Sequence, residues 1–163
     1  MPSERPRHDL YLDDLKIGDR FESASGYTVT EADIIGFALQ YDPQPFHIDA
    51  EAAKQTPFGG LIASGFQTLA AGFRALYSTG VITSANLGGI GIDELRWLKP
   101  VRPGDTLRTA TVIKEIVPSK SKPDRGVLKH DVIVSNQRGE VVLTGTFVIL
   151  MKRKRDQGSR GGI

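Results

Sequence analysis

The sequence of 163 residues contains no cysteine. Disulfide bonds, thiolate catalysis and zinc sites with cysteine ligands are therefore excluded, and the absence is compatible with the cytoplasm, the location we expect. No stretch approaches the roughly 20 apolar residues that a membrane-spanning helix needs, so we expect no membrane partner. Residues 1–10 are polar and charged with no apolar run behind them, which argues against a secretory signal.

Most of the chain also lacks a strong excess of positive or negative charge, and its net charge is +2. Residues 152–163 carry five basic residues and one acidic residue, so residues 1–151 are slightly acidic. We therefore predict one domain over residues 1–151, followed by a basic, glycine-rich tail over residues 152–163 that is disordered. A basic tail can bind nucleic acid or anionic lipid, but tails of this composition usually keep a protein in solution, so no nucleic-acid partner is expected.

The first half of the domain carries helix signals. Thr30 is a good helix N-cap, and the apolar spacing behind it predicts a helix to about Tyr41. Two prolines follow closely, so residues 42–48 are predicted to form a stiff, non-helical connector. Asp49 can cap a second short helix over residues 50–55.

The rest of the domain predicts one central helix and a sheet. Residues 65–78 are apolar or small on nearly every face, with Arg74 as their one charge, which indicates a buried helix. An antiparallel sheet needs an apolar cover on one face, and this helix is the candidate. We predict an α+β fold, a curved antiparallel β-sheet wrapped around a long central α-helix. The predicted strands lie within residues 20–28, 89–98, 106–117, 127–135 and 141–151.

Histidine is scarce, with three in the chain. His8 lies in the polar lead-in and His130 on a predicted strand, and we interpret both as solvated or structurally bonded. His47 follows Asp42 by five residues on the proline-stiffened connector. A carboxylate and an imidazole held together can orient a water, remove a proton and return one. The structural alternative, in which Asp42 caps the turn and His47 bonds a backbone carbonyl, stays open from the residues alone.

A metal site is a further possibility, since Asp42, His47 and Asp49 contain two carboxylates and an imidazole. Transition-metal sites generally use more than one imidazole, and zinc favours histidine or cysteine. Asp49 is also well placed as a helix cap. We therefore expect no metal.

Three segments resemble the MaoC-like dehydratases and R-specific enoyl-CoA hydratases. Residues 41–49, Tyr-Asp-Pro-Gln-Pro-Phe-His-Ile-Asp, are similar to that family's Gly-Asp-x-Asn-Pro-aliphatic-His signature. Residues 58–66 resemble the segment that ends in the small/His-Gly-Met start of the family's central helix. Residues 98–107 are similar to its Pro-Val-x-x-Gly-Asp-x-Leu turn. The three lie in the family's order and together cover roughly residues 15–150, so the resemblance is specific.

The resemblance implies a hot-dog fold and a reaction. Asp42 and His47 match the catalytic pair, which adds water to a trans-2-enoyl thioester to give an (R)-3-hydroxyacyl thioester, or reverses that step. Gly65 matches the glycine whose backbone N–H binds the thioester oxygen, and helix N-termini do present free N–H groups. The family implies an acyl-CoA substrate, no further cofactor, and a homodimer or higher homo-oligomer.

Three residues depart from the family's signature. Tyr41 stands in place of glycine, Gln44 in place of asparagine, and Phe46 in place of an aliphatic residue. With Ser64, they are our predicted substrate-binding residues, and the departures concern acyl-chain preference more than reaction type. Candidate contacts for the CoA phosphates are Lys54, Arg74, Arg96 and Arg102.

Two other functions compete with hydration. A hot-dog acyl-CoA thioesterase needs a carboxylate to direct water at the carbonyl, and the paired histidine argues against it. A non-catalytic acyl-CoA-binding module is supported by the substitutions at Tyr41 and Gln44. Release of free CoA would identify the thioesterase, and ligand stabilisation without turnover would identify the binding module.

Overall fold

The computed structural model describes residues 10–154. Within them, a short 3₁₀ turn at Leu12–Asp14 precedes the helices and strands. The helices are α1 (Glu31–Tyr41), α2 (Pro45–Ile48), α3 (Ala50–Lys54) and α4 (Gly65–Tyr77). The strands are β1 (Arg20–Glu22), β2 (Tyr27–Thr28), β3 (Asn86–Trp97), β4 (Thr106–Pro118), β5 (Arg125–Ser135) and β6 (Val141–Lys152).

The strands form an antiparallel sheet in the order β1-β4-β5-β6-β3, with β2 paired to β4. Every second residue of β5 is buried, which is the period-two pattern of a strand with one face in the core. The main core cluster joins that face to α4, through residues such as Val132, Val134, Ala71 and Leu76. The predicted α+β arrangement of a sheet packed on one long helix is confirmed.

Helix α4 approaches the sheet most closely at Gly72. A Cβ atom at this position would lie 2.6 Å from Cγ2 of Val134, which is closer than packed atoms come. The Thr109 hydroxyl on β4 also donates a hydrogen bond of 2.8 Å to the Gly72 carbonyl. The absence of a side chain at residue 72 therefore sets the distance between helix and sheet.

Most predicted elements lie within a few residues of the observed ones, but the connector was predicted wrongly. Residues 45–48 form the single-turn helix α2 instead of a non-helical link. Pro45 occupies the first position of that helix, where the missing N–H costs nothing and the fixed φ suits the helix. Gln44 before it is extended, as a residue preceding proline should be. The predicted early strand is also interrupted, since β1 and β2 are separate.

The prediction that α4 is buried all round is wrong for one face. The side bearing Ala71, Gly72, Ala75 and Leu76 is buried in the sheet. The opposite side exposes large rings, with 62% of Phe66, 42% of Phe73 and 52% of Tyr77 accessible. The sequence pattern of an apolar helix is the same whether the helix is buried on every side or exposes one apolar face. Periodicity alone therefore could not predict the exposed face of α4.

The predicted boundary at residue 151 is too early. Strand β6 runs through Lys152. Arg153 donates to Asp13 at 2.8 Å and Lys154 donates to Asp14, so these residues belong to the fold. The rest of the predicted tail and His8 lie outside the described residues. None of the helices in residues 10–154 is long and apolar enough to cross a membrane.

Candidate active site

The two residues of the predicted acid–base pair meet at the junction of α1 and α2. Asp42 is the residue at which α1 ends, and His47 lies within α2. Nε2 of His47 is 3.3 Å from Oδ2 of Asp42. His47 is buried, whereas the Asp42 side chain keeps 16% of its surface accessible. The fold therefore brings the pair together at a partly open site.

The second ring nitrogen of His47 defines its tautomer. Nδ1 lies 2.7 Å from the carbonyl oxygen of Ile62. A carbonyl oxygen only accepts, so Nδ1 carries a proton, and in the neutral ring Nε2 has a free lone pair. The carbonyl contact of the structural alternative is thus present together with the Asp42 contact. It orients the imidazole so that Nε2 faces Asp42.

The Asp42 carboxylate is held by two hydrogen bonds besides its contact with His47. The Ser64 hydroxyl donates to Oδ2 at 2.7 Å, and the Gln44 side-chain amide donates to Oδ1 at 2.7 Å. These bonds, Ser64 first and Gln44 second, lower the pKa of Asp42 below its ordinary value, and the neighbouring His47 adds to the effect. Asp42 is therefore ionised at neutral pH. Gln44 and Ser64, which were predicted to bind substrate, contact the Asp42 carboxylate within this chain.

Ser64 is also the N-cap of α4, where its hydroxyl oxygen accepts from the backbone N–H of Phe66 at 3.3 Å. Gly65 is the first residue of this helix, and helix geometry leaves its N–H without an intrahelical partner. One residue thus connects the Asp42 carboxylate to the helix N-terminus. The arrangement places a free backbone donor close to Asp42 and His47.

A cavity of about 330 Å³ opens beside these groups. It is bounded by His47, Gly65 and Thr68 and by the rings of Phe46, Phe58 and Trp97. Phe46 packs against the His47 ring, with centroids 4.5 Å apart, and Phe58 packs on Phe46 at 5.2 Å. The predicted residue Phe46 is therefore part of an apolar wall, as small-molecule sites generally have.

Other predicted contacts lie away from this cavity. Tyr41 is 70% exposed and packs against Phe37, with ring centroids 5.0 Å apart. The lysine that lines the cavity is Lys99, which was not among the predicted phosphate contacts. Its ammonium group pairs with Glu140 at 2.6 Å. The four predicted phosphate contacts do not line it: Lys54, Arg74, Arg96 and Arg102.

Trp97 is the site residue that sequence reasoning missed. Its indole N–H donates to the Gly65 carbonyl at 2.8 Å, and its ring lines the cavity. The available signal was weak: it is the one tryptophan of the chain and lies just before the Pro-Val turn segment. Asp49 caps α3 through the N–H groups of Glu51 and Ala52. Within residues 10–154, no group of three or more histidine, aspartate and glutamate side chains is arranged to hold a metal.

Comparison with known proteins gives the same assignment as the motifs. The family model described as MaoC like domain matches residues 14–136. The crystal structure of a MaoC-like dehydratase from Rhodospirillum rubrum is 45% identical, with a TM-score of 0.83, over 90% of this chain and 99% of that one. A Rhodospirillum rubrum protein named (R)-specific enoyl-CoA hydratase is 33% identical over 115 residues, which are 68% of this chain and 74% of that protein.

The fold itself is shared more widely. A Mycobacterium tuberculosis protein described as having a double hot-dog fold superposes with a TM-score of 0.70 at 20% identity, over 92% of this chain and 46% of that one. The sheet, the central helix and the matched residues 14–136 lead to one assignment. The chain is a hot-dog-fold member of the MaoC-like hydratase and dehydratase family.

Proposed function

We propose that this protein catalyses the reversible hydration of trans-2-enoyl-CoA to (R)-3-hydroxyacyl-CoA. The observation that carries the proposal is the 3.3 Å contact between His47 Nε2 and Asp42 Oδ2 beside a cavity that Gly65 also borders. A base, an ionised carboxylate and a backbone donor near one apolar cavity are the groups that this reaction needs. The similarity to the Rhodospirillum rubrum protein named (R)-specific enoyl-CoA hydratase supports the same reaction.

In the proposed mechanism, His47 and Asp42 share the activation of one water. As the water oxygen bonds to C3 of the substrate, one of its O–H bonds breaks and the pair takes that proton. The C2=C3 π electrons move toward the thioester oxygen, giving an enolate. The pair then returns a proton to C2, so no atoms other than those of water are added. Dehydration runs through the same steps in reverse.

Gly65 supplies the donor for the enolate oxygen. Its N–H lies at the positive end of α4, where negative charge is stabilised. A preorganised donor of this kind lowers the barrier because the charge on that oxygen is larger in the transition state than in the substrate. One such donor contributes about 3 kcal/mol in well-studied enzymes.

The direct test is loss of the conjugated enoyl-thioester absorbance with short, long, branched and dicarboxylic trans-2-enoyl-CoAs. We expect the wild-type protein to hydrate at least one of them, and Asp42→Asn to lower kcat/KM by about 10²- to 10⁴-fold. Asp124→Asn is the matched control, since Asp124 pairs with Arg125 on the surface and should leave the rate unchanged.

The same reactions should be followed for free thiol. A wild-type protein that releases CoA instead of consuming the double bond would be a thioesterase, and the proposal would be wrong. A protein that binds the whole panel without turnover would act as a binding module. In either case Asp42 and His47 would need another explanation.

We further propose that the chain functions as a homodimer. Among the described residues β3 pairs only with β6, so its outer edge has free backbone groups. The side chains there include exposed Ile90 and Ile92, and they continue into the exposed face of α4 at Phe66 and Phe73. A long edge strand with exposed apolar side chains is a pairing surface, and a second copy would cover it. Light scattering should give twice the mass of one chain, and Ile90→Asp should shift the protein toward monomer.

A further inference from the structure

Trp97 is the last residue of β3, and its side chain contacts the first turn of α4. Its indole N–H donates to the carbonyl oxygen of Gly65 at 2.8 Å. The ring also packs edge-on against Phe66, with centroids 6.2 Å apart and planes at 73°. The two residues that begin α4 are thus both held by one side chain from the sheet.

The contact with Gly65 leaves no space for a side chain. A Cβ at residue 65 would lie 2.8 Å from Cε2 and from Nε1 of Trp97, well inside normal contact distance. Glycine at this position is therefore required by the indole ring.

Gly65 is therefore held from both sides. On one side Ser64 caps the helix and bonds Asp42, which links the preceding peptide to the acid–base pair. On the other side Trp97 holds the carbonyl of Gly65 itself. Since the two peptide groups that flank Gly65 are fixed, its N–H has a defined direction relative to His47 and the cavity.

We propose that Trp97 is a positioning residue for the thioester-binding N–H of Gly65, and that its ring forms the cavity wall beside the bound thioester. The inference rests on the proposed function, because it assigns Trp97 a part in stabilising the enolate. A donor acts on the transition state only if it is held in place before the reaction. Loss of the Trp97 bond should therefore lower kcat more than it raises KM.

The chain offers an unusually selective test, because Trp97 is its one tryptophan. Replacing tryptophan biosynthetically by the benzothiophene analogue changes one residue, keeps the ring shape and removes the N–H donor. The 7-azaindole analogue keeps the N–H and is the matched control. Trp97→Phe provides the same loss of donor in a genetically encoded form.

We expect the benzothiophene analogue and Trp97→Phe to lower kcat by about 10- to 100-fold with little change in KM, because small misplacements of a catalytic donor have effects of this size. The 7-azaindole form should keep most of its activity. Thermal unfolding of all forms must be recorded, since a purely structural contact would lower the unfolding temperature without separating kcat from KM.

A second readout needs no turnover. Butyryl-CoA has no double bond to hydrate, and its binding should change the fluorescence of Trp97 in a saturable way. The response should persist in Asp42→Asn, which lacks the acid–base pair but keeps the wall of the cavity. Binding of butyryl-CoA seen by calorimetry without any fluorescence change would place the thioester elsewhere and overturn the inference.

The failures of the two proposals can be distinguished. If the wild-type protein hydrates its substrate while both donor-free forms keep the full kcat, the role of Trp97 is wrong and the proposed function stands. If the wild-type protein hydrates none of the panel, the proposed function fails, and the positioning role fails with it.

Discussion

His47 and His130 are both buried histidines, and each uses Nδ1 to contact an oxygen at 2.7 Å. For His47 the oxygen is the Ile62 carbonyl, and for His130 it is the Thr111 hydroxyl. That hydroxyl donates its one proton to the Asp131 carbonyl, so Nδ1 of His130 must be the donor in their contact. Both imidazoles therefore carry a proton on Nδ1, which leaves Nε2 as the nitrogen whose surroundings can be compared.

The two regions differ in what this second nitrogen faces. Nε2 of His47 lies 3.3 Å from Asp42 at the border of a cavity. Nε2 of His130 is buried without a partner among the described residues, with Phe147 packed edge-on against the ring. Burial lowers the pKa of His130 to about 4, against a smaller opposite effect of Asp131. Both rings are buried, so what distinguishes His47 is its border on a cavity and its contact with the Asp42 carboxylate.

The strongest test of the difference between His47 and His130 is to replace each imidazole by an apolar side chain of similar size. We expect His47→Leu to lower kcat/KM for enoyl-CoA hydration by about 10²- to 10⁴-fold, because the base is lost. His130→Leu should leave kcat of the folded protein unchanged, because His130 does not line the cavity beside His47. Equal losses in two folded variants would show that the distinction drawn between the histidines is wrong.

The next prediction concerns stability against pH. The folded state holds His130 neutral down to about pH 4, whereas the unfolded chain protonates it near the ordinary value of 6.5. Between these values the unfolded state binds the extra proton, so the free energy of unfolding should fall as the pH is lowered. The decrease should reach about 3 kcal/mol near pH 4.

Urea unfolding at pH 7, 5.5 and 4.5 measures this effect. His130→Leu is the control, and its free energy of unfolding should depend less on pH across the same window. The carboxylates with lowered pKa, such as Asp42, titrate below this range and affect the acid end instead. A variant whose pH dependence matched that of the wild type would contradict the assignment to His130.

The smallest effect is expected from the hydrogen bond that Ser64 donates to Asp42, the carboxylate in contact with His47. Ser64→Ala removes the main cause of the lowered pKa of Asp42, so Asp42 should protonate at a higher pH. The acid limb of the rate–pH profile should therefore move upward. The variant also loses the cap of α4, which costs about 1 kcal/mol of stability.

Thr30→Ala is the control for Ser64→Ala, because the Thr30 hydroxyl also caps a helix, by accepting from the Asp33 N–H, without contacting Asp42. It should cost a similar free energy of unfolding, about 1 kcal/mol, and leave the rate–pH profile unchanged. A profile that moved equally in both variants would mean that helix stability, and not the Asp42 hydrogen bond, sets the acid limb.

Sequence reasoning succeeded where the deciding interactions are local. Thr30 accepts from Asp33 at the start of α1, and Asp49 caps α3, both as predicted. The single-turn helix α2 was missed because four residues are too few to show a helical period. Its proline, Pro45, is equally compatible with the end of one helix and the start of another. Local signals therefore predicted the long elements better than the connector.

The contacts within the candidate site could be identified only from the three-dimensional structure. Spacing placed Asp42 and His47 on one connector, but it could not choose between a carbonyl partner and a carboxylate partner for the imidazole, and both are present. Trp97 and Gly65 are 32 residues apart, so nothing in the sequence near either residue reports their contact. The resemblance to the MaoC-like family supplied the helix-start glycine, and the indole ring beside it emerged only from the three-dimensional arrangement.

The contacts of Asp13 with Arg153 and of Asp14 with Lys154 bring residues near both ends of the described chain together. The path of the described chain therefore begins and ends at neighbouring points on the surface of the domain. A short linker between these points would need to span little distance, so its closure entropy would be small. New ends could then be placed in the turn between β5 and β6 at residues 136–140. The antiparallel order of the sheet would be kept in a circularly permuted protein, with the Asp42–His47 connector far from either new end in sequence.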